Sequence, residues 1–85
     1  MNRIYRWESE ALGLVATLSV TWQDGAIHGL DCTAVCEGDE VGNQLPPRTP
    51  SAAEVEALCQ AFLQVFDTGW WDTRETIERR CEVVA

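Results

Sequence analysis

His28, Cys32 and Cys36 recur at four-residue intervals, and Cys59 follows within the same short chain. Histidine and cysteine are the ligands zinc prefers, so this set is the first candidate for chemistry. Zinc sites take their ligands in close pairs, from turns that let two side chains converge. On a strand, the spacing from His28 to Cys36 spreads the side chains over roughly 26 Å, and one ion cannot gather them. The three cysteines are therefore expected to be small core hydrophobes, as free cysteine commonly is. No metal and no cofactor is expected.

Nucleophilic catalysis fares no better. A cysteine nucleophile needs an adjacent base and an electropositive setting. The single histidine, His28, is too far along its segment from Cys36, and the chain is acidic throughout. Paired carboxylates such as Glu8 and Glu10, Asp39 and Glu40, or Glu54 and Glu56 are plentiful. Acid–base work needs two carboxyls in a cleft with their pKa values driven apart, and acids scattered among other acids make a solvated face. Gly38 and Gly42 lack the following Lys of a phosphate-binding loop. The expectation is a protein that is not an enzyme.

Two features remain that suit binding. Glu37, Asp39 and Glu40, followed by Glu54 and Glu56, place five acids around one loop. They form a candidate patch for a basic partner, against the plainer reading of solubility and a favourable helix dipole. Trp70 and Trp71 are adjacent. In extended chain they point to opposite sides, so one is expected in the core and the other is a candidate interface anchor.

The charge supports a partner rather than a nucleic acid. The chain carries 14 acids against six arginines, no lysine, and a net charge of −8. Up to Cys36 there are four acids and two arginines, a net of −2; from Glu37 onward there are ten and four, a net of −6. Phosphate binding requires clustered cations, so direct nucleic-acid binding is not expected. Attraction to a basic protein surface is. No segment approaches the roughly 20 apolar residues of a membrane span. The start, Met1 to Glu8, has neither the apolar stretch nor the cleavage site of a signal peptide, which points to the cytoplasm. In that compartment the four cysteines are expected to be thiols.

The elements that position these residues follow from periodicity. Eighty-five residues, 46% of them hydrophobic, make one domain spanning 1–85. Alternation from Leu12 to Trp22 predicts a strand with Leu12, Leu14, Ala16, Leu18, Val20 and Trp22 on its apolar face. Asp24-Gly25 then marks a type I′ hairpin turn. The return strand, about 26–37, is expected to present His28, Leu30, Cys32, Ala34 and Cys36 on one face, and a shorter strand is predicted over 3–8. Residues 38–49, with Pro46-Pro47, read as a loop. A helix over about 50–67 begins with Thr49 as cap before Pro50, or with a Ser51/Glu54 capping box, and ends at Gly69. Its stripe is Val55, Leu58, Cys59, Phe62 and Phe66. The tail fits both periods; its β-branched end favours a strand over about 74–84. The fold class is α+β, a three-stranded antiparallel meander completed by that fourth strand, with one amphipathic helix on one face.

An acidic, non-enzymatic domain of this kind suits an inhibitor of a basic nucleic-acid-handling protein, acting by charge mimicry as phage anti-defence proteins do. A toxin-neutralising immunity protein is the first alternative. A structural or assembly module, acting through an apolar surface or as a homodimer, is the second, and a small zinc module the third.

Overall fold

The strand over Leu14–Gln23 (β2) carries the alternation that organises the fold. Leu14, Ala16, Leu18, Val20 and Trp22 are buried, while Val15, Thr17, Ser19 and Thr21 on the other face are half-buried. A computed structural model describes residues 1–37, 46–66 and 73–85. β2 begins two residues later than its pattern suggests, because Leu12 and Gly13 belong to a turn. Gly13 takes φ +66°, a left-handed value, and its N–H donates to the Ser9 carbonyl at 2.9 Å.

β2 lies between β1 (Asn2–Ser9) and β3 (Ala26–Glu37), and β4 (Glu82–Val83) adds to the far edge of β1. The sheet order is β3-β2-β1-β4, with every neighbour antiparallel. The expected hairpin is present. Asp24 and Gly25 both have positive φ, 54° and 79°, as a type I′ turn requires.

The register of β3 departs from simple alternation. Its pairing with β2 shifts between Thr17 and Leu18 and again between Thr21 and Trp22, so that Thr33 and His28 have no direct partner. Each irregularity inserts one residue and exchanges the faces beyond it. Leu18 therefore opposes Cys32, Ala16 opposes Val35, and Trp22 opposes Ile27. Val35 takes the core position expected of Ala34, and His28 is exposed instead of sharing a face with Leu30 and Cys32.

Helix α1 (Ala52–Phe66) packs on the apolar side of the sheet through Leu58, Phe62 and Phe66, all buried. The capping box forms, and Ser51 is the cap rather than Thr49. The Glu54 N–H donates to Ser51 Oγ at 3.2 Å, and the Ser51 N–H donates to Glu54 Oε1 at 2.9 Å. Phe62 and Phe66 meet Trp7 of β1 edge-on, with ring centroids 5.3 and 6.1 Å away.

The tail is where expectation and structure part. Residues Thr73–Arg80 form a second helix, α2, and the fourth strand is confined to Glu82–Val83. Thr73, Ile77 and Cys81 are the buried positions, spaced by four along one helical face. Arg74–Glu78 and Glu75–Arg79 pair at i, i+4 on the wet side, with Glu75 in the first turn and Arg79 and Arg80 in the last. Thr73, Thr76 and Ile77 are β-branched yet helical, and only Glu82–Val83 extends. Trp70, Trp71, Gly69 and most of the predicted 38–49 loop lie outside the described residues. No described helix is long and apolar enough to cross a membrane.

Candidate partner-binding surface

Arg48 organises the acids that the structure brings together. Its main chain pairs with Val35 on the outer edge of β3, N–H to carbonyl in both directions at 2.9 and 2.8 Å. That anchors its side chain between the end of β3 and the start of α1. The guanidinium holds Glu54 with two parallel bonds of 2.8 and 2.7 Å, and Nη2 also reaches Glu37 at 2.9 Å. Bidentate carboxylate recognition is what a planar guanidinium does best.

The electrostatics follow from this geometry. The Arg48 bonds, and then the Ser51 main-chain N–H, hold the Glu54 carboxyl down at about 2. Both carboxylates hold the guanidinium proton more tightly in turn. All three groups are partly solvated, with side-chain exposures of 42% for Arg48, 51% for Glu37 and 28% for Glu54. Exposed pairs of this kind contribute little stability. Their effect is to tie a strand end to a helix cap and to leave one uncompensated negative charge.

The seven residues singled out by sequence therefore separate. Glu37 and Glu54 are together but engaged by Arg48. Glu56 is exposed on α1 and in no ion pair among the described residues. Asp39, Glu40, Trp70 and Trp71 lie outside the described residues. Sequence reasoning passed over Arg48, although one signal was available: it is the lone cation between Trp7 and Thr73. Beside the Arg48 network lies a hollow of about 340 Å³ bordered by Leu12, Leu14, Ala53 and Ala57. Leu12 is 41% exposed there.

Some of the remaining acids are more available. Among the described residues Glu8, Glu10, Asp24 and Asp31 also lack an ion pair, whereas Arg6, Arg74 and Arg79 are each spent on a glutamate and Arg48 on two. Arg80 lies over the Phe66 ring, 5.3 Å from its centroid.

The thiols are poorly placed for chemistry. Burial pushes Cys32 and Cys59 up, and raises Cys81 to about 11, so these three remain protonated at neutral pH. All four cysteines are free. Among the described residues, no three His, Cys, Asp or Glu side chains converge on a space that would hold a metal ion.

No family model, curated protein or solved structure matches this chain.

Proposed function

We propose that this chain is a small, non-enzymatic, acidic binding protein of the cytoplasm, which inhibits a basic nucleic-acid-handling protein by charge mimicry. The phage anti-defence proteins are the nearest analogy in kind. One observation supports the reading: among the described residues most of the arginines are paired with glutamates, while several acids are left unpaired. Among the described residues, four of the six arginines hold glutamates, while Glu8, Glu10, Asp24, Asp31 and Glu56 have no ion pair. Asp39, Glu40, Asp67 and Asp72 add to the negative total of the chain. A surface so composed attracts a groove built for phosphates, and the attraction falls as salt rises.

The test is displacement. A fluorescent DNA duplex is bound to a panel of basic DNA-binding domains, and this protein is added at increasing ionic strength. Displacement at low salt that weakens steeply with added salt supports the reading. Absence of binding to every basic domain at low salt, or an association rate indifferent to salt, sinks it.

A further inference from the structure

Among the described residues, the outer edge of β1 is covered only in part. β4 pairs with Tyr5 and Arg6, and Ile4 exchanges main-chain bonds with Val84 and Ala85. Successive residues of a strand direct their main-chain groups to alternate edges, so Ile4 and Arg6 face β4. Glu8 is next in that series. Its N–H and C=O are directed at the edge beyond the point where the β4 ladder ends. Such an uncovered stretch is a template for one more extended segment.

Beside that edge is a hollow of about 360 Å³, lined by Trp7, Glu8, Glu10, Ala61, Val65 and Arg80 among others. A second hollow of about 220 Å³ shares Trp7, Glu8, Glu10 and Arg80 and touches Phe66. Aromatic and aliphatic side chains supply the apolar walls, and Val65 is 43% exposed. Glu10 brings a carboxylate that has no ion pair among the described residues, while the Glu8 side chain leaves β1 on the face opposite Trp7 and its main chain borders the hollow. The complementary side chain has an aliphatic stem, a flat face for an aromatic ring and a cationic head. That is arginine, which stacks and pairs with carboxylates at once. Arg80 on Phe66 already demonstrates that a guanidinium packs against this aromatic cluster. Being of like charge, Arg80 also opposes a newcomer.

We propose that the open edge of β1 at Glu8 takes an extended segment of a basic protein, and that the adjoining hollow seats one of its arginines between Glu10 and Trp7. This rests on the reading of the chain as a partner for a basic protein, and it names the contact that a diffuse acidic field cannot supply.

The experiment is an NMR titration of the isotopically labelled chain with the peptide Ac-Val-Arg-Val-NH₂. The expected result is saturable shifts at the Glu8 and Ser9 amides and the Trp7 indole, and none with Ac-Val-Glu-Val-NH₂. Glu10→Gln should weaken the arginine peptide by at least about threefold, the scale of one partly solvated ion pair. Arg80→Gln should tighten it. Absence of saturation, equal binding of the glutamate peptide, or indifference to Glu10→Gln each overturns the site. The peptide has no phosphate-binding groove, so its failure leaves charge mimicry to be judged by salt dependence alone. Peptide binding with a salt-indifferent whole protein would retain the edge site and remove mimicry.

Discussion

The indole N–H of Trp22 donates to the hydroxyl of Tyr5 at 3.1 Å, a polar contact enclosed in the core. Tyr5 is fully buried and Trp22 only 4% exposed. The bond joins the end of β2 to the middle of β1, and it answers the one demand that burying two amphipathic aromatics creates. Burial raises the Tyr5 pKa above its ordinary value, and the Trp22 bond partly offsets this. Folding thus favours the protonated phenol, and this contribution is complete below the ordinary tyrosine pKa and fades as alkaline pH rises through the folded one.

Tyr5→Phe should leave the Trp22 N–H without a partner in the core. A buried donor left unpaired costs about 1–3 kcal/mol. Urea unfolding of the variant would measure this, and a loss below about 0.5 kcal/mol, the scale of an inconsequential surface change, would mean that the indole finds another acceptor.

Leu18→Ala should cost about 2–5 kcal/mol, since Leu18 is fully buried at the centre of the sheet opposite Tyr5 and Cys32. Thr17→Ala, one residue away on the opposite face, should stay within about 0.5 kcal/mol. Equal effects would mean that the two faces of β2 are not distinguished by packing.

The contrast between these two positions was legible in the sequence, because period-two alternation and the Asp24-Gly25 turn are local signals. The capping box at Ser51 and Glu54 was legible for the same reason. The exchange of Ala34 for Val35 was not, since it depends on two register shifts that only the pairing with β2 produces. Nor was α2 preferred over a strand: Ile77 and Cys81 satisfy both periods, and packing against the rest of the fold decides between them. At the surface, the acids were identifiable by type. That Arg48 engages Glu37 and Glu54 required knowing that its main chain is fixed to Val35.

Acid titration should expose the Arg48 network. The Glu54 carboxyl ionises at about 2 in the folded chain against an ordinary 4.5. Its folded pKa is lowered, so the stabilisation is complete above 4.5 and is lost as pH falls through that window toward 2. Thermal unfolding followed over this range should show a decline that becomes shallower in Arg48→Met. High salt should flatten it too, because the groups are exposed. Identical profiles in wild type and variant would remove Arg48 as the cause.

The cysteines should remain thiols and differ in access. Native and denaturing mass spectra are expected to give the same metal-free mass with four free thiols. Brief alkylation near neutral pH should modify half-buried Cys36 before buried Cys81, whose thiol is held up at about 11. A mass increase of one zinc, lost on acidification, would restore His28 and the cysteines as ligand candidates.

The last expectation separates steering from anchoring in the proposed inhibitory complex. Glu37 and Glu54 are engaged by Arg48, so the acids to reverse are Asp39, Glu40 and Glu56. Each alone should matter little, because an exposed charge away from a desolvated contact contributes under about 1 kcal/mol. Changed together to lysine, they should slow association with a basic nucleic-acid-binding domain and flatten its dependence on salt. Replacement by alanine of whichever of Trp70 and Trp71 is exposed should act differently. A desolvated aromatic anchor is engaged only after docking, so its loss should speed dissociation and leave the association rate nearly unchanged. Stopped-flow association at several salt concentrations, paired with dissociation by dilution, measures both. If the triple reversal leaves the low-salt association rate unaltered, these acids are only a solvated surface. The negative charge of the chain would then carry no information about its partner.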